Sequence, residues 1–482
     1  MPDLLGSSLD SLNDWVSETD FKVSAKLVHG NVSDNSNGGL ELRPVMTEMS
    51  YFEDLFGNVT SGYIALSDSS NFQHEMTMFG DEYIKLQLDR PRDNPPSEPL
   101  KRYQRIYSIE GRNLSKDSNE NYMIKFASEE MTVSEQYRIS KAYKDITIAE
   151  IVQDIALTYL KIPAKDFNYV PTLGKYHIIV PNLKPFEAIN WLSTLAICAD
   201  TRIKGATYTF FQNRNGWYFS PVLGMYGDFE RYNGAYNTEA NPYVYKVKNN
   251  QSEEDKEGPK TDPNKNIISY QIIESFDMNS YTMDGMYANR LHWNDNHKRL
   301  HEITDFDYEK YFADLKANLP LYRDHQPFSL LSNAQDRFNN QHNQVPDAIV
   351  KMGFRTENNR VEQTIPHRYS QLRQFFAIRI RIVLLGDTSL AVGKVVYVDI
   401  KAPAPVDGGS NDQTRKKTDK LYSGYYLILA LRHRIDQESN FETVLELGKD
   451  SFLSAVDSMD NPGLASYNNS SFLQEAKTLG YF

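Results

Sequence analysis

His297 and His301 lie four residues apart, a spacing that sets two imidazoles on one face of a helix and suits a divalent metal ion. His292 and Asp295 stand close by. The residues between the two histidines are Lys298, Arg299 and Leu300. Zinc proteases need a Glu directly after the first His, and two cations beside the imidazoles oppose a third. The pattern reads as a solvated polar face, and no metal is expected. Carboxylate pairs are the next candidates, because glycoside hydrolysis needs two of them facing across a cleft. Glu129-Glu130, Glu253-Glu254-Asp255 and Asp305-Phe306-Asp307 qualify by proximity, but a chain with 64 Asp and Glu produces such groups by number alone. All three are expected to be surface charge.

Cys198 is the single cysteine and sits in the apolar run Leu195–Ala199. No disulfide is possible within one chain, and a lone thiol on a helical apolar stretch reads as a small core residue. Asn215-Gly216 and Asp407-Gly408-Gly409 are turns without the following Lys-Ser/Thr of a phosphate loop. The Gly-x-Ser-x-Gly elbow of the hydrolases is missing from the sequence. Arg415-Lys416-Lys417, flanked by Asp412 and Asp419, reads as a loop tip. The expectation is no catalytic residue, no cofactor and no metal: the chain is not read as an enzyme.

The bulk properties point the same way. A net charge of −12 repels phosphate and disfavours tight, sequence-specific nucleic-acid binding and anionic membrane surfaces. The 31 Tyr and 24 Phe favour packed domains and large interfaces. No window approaches the ~18 apolar residues of a membrane span. The start, Met1-Pro2-Asp3-Leu4-Leu5, lacks the basic and apolar regions of a signal peptide, so synthesis in a cytoplasm without a leader is expected. A length of 482 residues suits three or four domains at roughly 100–200 residues each.

These residues are positioned mostly by strands. Phe21–Val28 alternates with period two, as do Gly62–Asp68 and the EYIKLQL run within Asp81–Asp89. A Pro-rich loop (Pro91, Pro95, Pro96, Pro99) leads into strand patterns at Arg102–Glu110 and Asn121–Ser128. The period then changes. Thr147-Ile148-Ala149-Glu150 has capping-box spacing, and Ile148, Ile151, Val152, Ile155 and Tyr159 share one helical face. A second helix is expected from Pro185, with Ala188, Trp191, Leu192, Leu195 and Ala199 on its face. His177–Val180 is extended between them. Asn215-Gly216 between Tyr208–Phe211 and Trp217–Phe219 predicts a hairpin. Strand resumes at Ile267–Ile273, and the pattern is weakest over 313–366. In Phe376–Leu384, Ile378, Ile380 and Ile382 point one way and Arg379 and Arg381 the other. Val395–Ile400, Tyr425–Ile435 and Phe441–Leu447 complete a β block.

Two distant segments match in element order. From Gly80 the chain runs through the strand DEYIKLQL, a Pro-rich loop, the Tyr-bearing strand RYQRIYSIEGR, a polar turn and NYMIKFASEE. From Gly393 it runs through KVVYVDI, a Pro/Gly-rich loop, SGYYLILALRHR, a polar turn and NFETVLELGKD. Two copies of one antiparallel barrel unit are expected, and three chains with two copies each would set six similar units around one axis. The expected fold is α+β and β-rich, with two such barrel domains plus smaller α/β domains. Its divisions are an arm at 1–20, a first barrel at 21–130, an α+β domain at 131–205 and a hairpin segment at 206–248. A polar linker at 249–265, an α/β or irregular domain at 266–366, a second barrel at 367–452 and a tail at 453–482 follow.

The ordered stretches YFEDLF and GYIALSD, FGDEYIKLQL, NYMIKFASEEM, TIAEIVQDIAL, VPTLGKYHIIVPNLKPFEAINWLS, ATYTFFQNRNGWYF, GYYLILALRHRI and FETVLELGKDS cover about half of the chain. In this order the chain resembles the central baseplate hub protein of contractile-tailed (myovirus) bacteriophages. The resemblance implies tail-tube-like barrels forming a ring-shaped homotrimer with pseudo-sixfold symmetry. It implies a virion protein of the tail baseplate that joins the sixfold tail tube to the threefold spike and leaves a channel for DNA. Its implied partners are its own copies, the tail tube ring, the central spike and baseplate wedge proteins. The family carries no catalytic residues, so none transfer. The alternatives are the hub of a related bacterial contractile injection system and a tail-associated cell-envelope hydrolase.

Overall fold

The computed structural model describes residues 21–29, 39–69, 78–89, 99–114, 120–227, 243–247, 266–275, 277–327, 350–355, 360–400, 419, 421–438 and 440–452. The arm, the polar linker, the tail, and the candidate groups at 253–255, 407–409 and 415–417 lie outside these residues.

The first unit consists of β1 (Lys22–His29), β2 (Leu40–Glu41), β3 (Met46–Asp54), β4 (Ser61–Asp68), β5 (Glu82–Asp89), β6 (Leu100–Leu114) and β7 (Glu120–Ala127). Alternate residues point inward, as the period-two pattern requires. Ala25 and Leu27, Ile84, Leu86 and Leu88, Ile64 and Leu66, and Tyr122, Ile124 and Phe126 are all buried in one core. Gly62 faces Phe126 on β7 and Tyr51 on β3, and the missing side chain leaves room for the Phe126 ring.

An α+β insertion follows: α1 (Glu129–Gln136), β8 (Ile139–Ile146), α2 (Ile148–Thr158), β9 (Phe167–Tyr169), β10 (Tyr176–Leu183), α3 (Pro185–Ser193), β11 (Tyr208–Asn213), β12 (Gly216–Pro221) and α4 (Val222–Gly227). The capping box forms as expected: Thr147 Oγ1 accepts the Glu150 amide at 3.3 Å, and Glu150 Oε2 accepts the Thr147 amide at 3.0 Å. Ile148, Ile151, Val152 and Ile155 are buried. α3 does start at Pro185, but it ends at Ser193. Ser193 and Thr194 turn their hydroxyls back onto the Asn190 and Trp191 carbonyls, both at 2.7 Å, so Leu195 and Ala199 lie beyond the helix. Cys198 is therefore not helical. It bridges to Thr172 in extended backbone and is 2% exposed, so its core reading stands. β11 and β12 form the expected hairpin, with Asn213 opposite Gly216.

β13 (Tyr243–Val247) and β14 (Asn266–Glu274) come next. A second insertion then holds α5 (Met278–Met283), β15 (Ala288–Asp295), β16 (Leu300–Asp307), α6 (Tyr308–Asn318), β17 (Gln326–Pro327), β18 (Val350–Arg355) and α7 (Val361–Phe375). The chain closes with β19 (Ile378–Leu385), β20 (Val395–Asp399), β21 (Gly424–Asp436), β22 (Phe441–Lys449) and β23 (Ser451–Phe452). Ile378, Ile380, Ile382 and Leu384 are fully buried, while Arg379 sits outside and pairs with Glu274 and Glu446 at 2.7 and 2.9 Å.

The strand order repeats. Neighbours in the first unit run β1-β5-β6-β7-β4-β3, and in the second β13-β20-β21-β22-β19-β14. Taken in chain order, each position of one unit has its counterpart in the other, so the repeat of order spans six strands instead of the three seen in sequence. Five of them also match in direction, but β13 runs parallel to β20 and β14 where β1 pairs β5 antiparallel, so the second unit is not the wholly antiparallel barrel expected. The β-rich α+β class agrees with expectation, and two departures follow from the pairing. The second unit closes on itself, because β13 bonds to β14 as well as β20. The first unit is a curled, open sheet: among the described residues β1 and β3 share no pairing, since the outer edge of β3 is taken by β21. The second unit also recruits β13 and β14, so the divisions at 248 and 366 cut through it. The hundred-residue separation of β14 from β19 hides that continuity in sequence.

Candidate functional site: the seam between the two units

β21 belongs to both sheets. Along one edge it pairs β20 up to Leu427 and β3 from Ala430 onward, while the other edge pairs β22 from Leu427 to Ile435. A bulge between Ile428 and Ala430 marks the change of partner; bulges sharpen local twist and re-aim a strand. A single strand thus passes from a closed barrel into an open sheet.

Polar side chains fasten this crossing on both faces. Outside, Glu48 accepts from Arg432 at 2.9 Å, Arg434 at 3.1 Å and the Tyr63 hydroxyl at 2.5 Å. Burial pushes the Glu48 carboxyl up, but the Tyr63 hydrogen bond and the two guanidiniums outweigh it and hold the group below its ordinary range. Inside, Glu53 is 2% exposed and accepts the Val392 amide at 3.1 Å and the Tyr51 hydroxyl at 3.3 Å. Arg102 on β6 donates to the Tyr51 oxygen at 3.3 Å and to the Asn213 carbonyl of the β11–β12 hairpin. Burial raises the Glu53 carboxyl despite the nearby Arg102 cation. The cluster links the first sheet, the α+β hairpin and the second barrel. Beside it, Gln212 Oε1 accepts the Thr60 amide and hydroxyl, both at 3.0 Å, and the Ser128 hydroxyl. Gln104 donates to the Thr60 hydroxyl at 3.1 Å. Buried donors and acceptors that meet this way fix one relative position, because any shift leaves a polar group unpaired.

His433, on β21, completes the seam. The Asp387 amide donates to Thr443 Oγ1 at 2.9 Å, and the same oxygen is hydrogen-bonded to His433 Nδ1 at 3.0 Å. Burial first, then Arg214, pushes the imidazole down to about 3. Unfolded His433 takes a proton below about pH 6.5 that the folded form refuses, so its stabilisation is present above that pH and lost as the pH falls toward 3. A His433→Gln variant lacks this term. Between pH 6.5 and 5 the parent should lose about 2 kcal/mol relative to the variant. Denaturant midpoints at the two pH values check it, and parallel curves would contradict it.

The constellation most like a catalytic one lies at Tyr322, His325, Asp450 and Ser451. Ser451 Oγ lies 2.7 Å from His325 Nδ1 and donates to Asp450 Oδ1 at 2.9 Å, while Tyr322 donates to Asp450 Oδ2 at 2.6 Å. A hydrolytic triad needs the carboxylate behind the histidine and the serine proton on the imidazole. Here the serine proton goes to the carboxylate. Ser451 and Asp450 are fully buried and His325 is 1% exposed, so a substrate carbonyl has no approach to Ser451. Burial pushes Asp450 up to about 6 and Lys449 down to about 7, and the Lys449 ammonium donates to the Leu421 and Ser423 carbonyls. The group is a structural knot holding the end of the second unit.

The residues singled out from sequence are scattered. Residues 295–299 form a hairpin turn instead of a helix, because Asp295 Oδ1 accepts the His297 and Lys298 amides, both at 3.0 Å. His301 lies on β16 and meets His292 on β15, not His297. Asp305 is held by Arg290 at 2.7 and 3.0 Å, and Asp307 caps α6. Glu129 accepts the Tyr83 hydroxyl at 3.0 Å. Glu130 departs from the surface-charge expectation: it is half-buried, and burial with Glu129 beside it pushes it up to about 7. Sequence reasoning missed Glu53, Arg102, His433 and Lys449. For Glu53, His433 and Lys449 the signal was a charged or polar residue in line with the apolar positions of its strand; Arg102, two residues before Gln104 on the polar β6, carried none.

No protein-family profile matches the chain, and no curated protein matches it. Among solved structures it is similar to the tail protein from Neisseria meningitidis MC58, at 11% identity over 90% of this chain and 97% of that one, TM-score 0.49. It is similar to the 43 kDa tail protein of prophage MuSo2 from Shewanella oneidensis, at 7% identity over 89% and 98%, TM-score 0.48. A type VI secretion component of E. coli follows, at 8% identity over 89% and 76%, TM-score 0.38. Chains of a phage P2 baseplate are among the other similar structures. The structural neighbours are thus phage tail, baseplate and secretion-system components. Among the described residues, no helix is long and apolar enough to cross a membrane.

Proposed function

We propose that the chain is a structural subunit of a phage tail baseplate, acting as a central hub. The observation that carries this reading is the repeat of one six-stranded order in two units joined by a shared strand. Two units of like strand order per chain, one closed and one open, let a trimer present six related surfaces to a sixfold tail tube and three to a threefold spike. The insertions at 128–242 and 275–377 then supply the contacts that differ between the two faces, including those to wedge proteins. A closed polar seam suits a part that must hold its shape, and a net charge of −12 suits a channel that DNA passes without sticking. The working divisions are the first unit within 21–130, the α+β insertion, and a second unit made of 243–274 and 378–452.

The chain leaves apolar surface for its copies. Ile268, Tyr270 and Ile272 stand at alternate positions of β14 and are 58%, 44% and 38% exposed. Contiguous apolar surface of this kind marks a protein interface. The hub reading is tested by light scattering and particle images of the purified protein. The expected result is a holed trimer that Tyr270→Glu with Ile272→Glu converts to monomer while the circular dichroism is kept. A compact, monodisperse monomer of the parent chain at high concentration would overturn it.

A further inference from the structure

The fold brings together two histidines that their sequence spacing did not pair. β15 and β16 form a hairpin in which His292 lies opposite Ile303 and Asn294 opposite His301. The inner face of the hairpin carries Leu291 and Trp293, packed with Val361 of α7. The outer face carries His292, Asn294, His301 and the Arg290–Asp305 pair. His301 is exposed and His292 half-exposed. His292 Nδ1 and His301 Nε2 are hydrogen-bonded at 3.3 Å, and the ring centres are 5.4 Å apart with their planes inclined by 30°.

We infer that His292 and His301 form a two-histidine site for a zinc(II)-class divalent transition ion. An ion bound tetrahedrally at about 2.0–2.1 Å from each nitrogen holds the two nitrogens about 3.3 Å apart and the ring centres about 5.2 Å apart. A square-planar ion at a similar bond length requires nitrogens nearer about 2.9 Å, so the spacing selects tetrahedral geometry. Asn294 Oδ1 lies 2.7 Å from His301 Nδ1, and an amide oxygen there accepts that ring proton. The tautomer is thereby fixed with a lone pair on Nε2, which accepts the His292 Nδ1 proton in the metal-free chain; a bound ion takes that proton's place, and His292 shifts to the tautomer protonated on its Nε2. Metal-bound histidines are oriented in this way by an acceptor on the far nitrogen. The remaining coordination positions face solvent, open to water or to a donor from another chain. Lys298 and Arg299 lie in the turn beyond Asp295 and lower the affinity without occupying the site. The site stands apart from the seam and holds whether or not the hub reading does.

Zinc(II) chloride titrated into the full-length chain by calorimetry tests it. One ion per chain is expected, with His292→Ala and His301→Ala each weakening binding at least tenfold. Asn294→Ala should weaken it about tenfold. All three side chains lie on the outer face, and unchanged circular dichroism verifies that the hairpin is kept. Cobalt(II) added to the parent chain gives a readout without any substitution: the intense visible bands of a tetrahedral nitrogen-ligated ion. Absence of saturable zinc uptake, or uptake equal in both histidine variants, or only the weak spectrum of hydrated cobalt, would each overturn the site.

Discussion

Arg102→Met should destabilise the chain by about 3–5 kcal/mol, because it removes the cation that offsets a buried carboxylate. Glu53 would keep the Val392 amide and the Tyr51 hydroxyl but lose the cation that acts on it most strongly, ahead of Arg214 and Lys394. The Asn213 carbonyl would lose its donor as well. Adding Glu53→Gln should restore a substantial part of the loss, since the neutral amide needs no counter-charge. The double-mutant cycle, measured by denaturant titration, reads the coupling directly. Additive effects would show that Arg102 and Glu53 act independently. The consequence extends beyond one contact, because the cluster fastens three parts of the chain to one another.

Gly62→Ala should cost about 3 kcal/mol, at the upper end of overpacking effects in close-packed interiors. A Cβ at this position would lie 2.4 Å from the Ser50 carbonyl oxygen and 2.4 Å from Phe126 Cζ. The ring can move, but the carbonyl belongs to the neighbouring strand and carries the ladder with it. Gly62→Ala with Phe126→Leu should therefore recover only part of the loss. A full rescue would show that the ring alone was the obstacle. Urea midpoints of the single and double variants decide between these.

Much of the local structure was readable from the sequence. Period-two runs such as EYIKLQL and IRIRIVLL became half-buried strands, and Thr147 with Glu150 marked a true helix start. These signals are local, so they survive in the chain text. What was hidden is long-range. Nothing near Ser50 announces that its strand will lie against β21, since register between distant strands leaves no trace in either one. β13 and β14 were not assigned to the second unit because an insertion separates them from β19. The histidine pair misled for a different reason. A four-residue spacing suits a helix, whereas Asp295 folds the backbone into a turn and the alternation Leu291, Trp293 against His292, Asn294 is that of a strand. The seam was missed because polar residues such as Glu53 and Arg102 read as solvent-facing until their surroundings are known.

The strand shared by the two units also sets an order of events during synthesis. Ser50 and Arg432, which meet across the seam, are 382 residues apart. At about 5–20 residues per second, β3 emerges from the ribosome roughly 20–75 seconds before the strand that covers it. Throughout that interval the nascent first unit presents an unpaired edge, the kind of template on which neighbouring chains aggregate. Truncated chains ending before residue 424 should keep that edge for good, and expression in fragments is accordingly predicted to yield insoluble material where the whole chain does not.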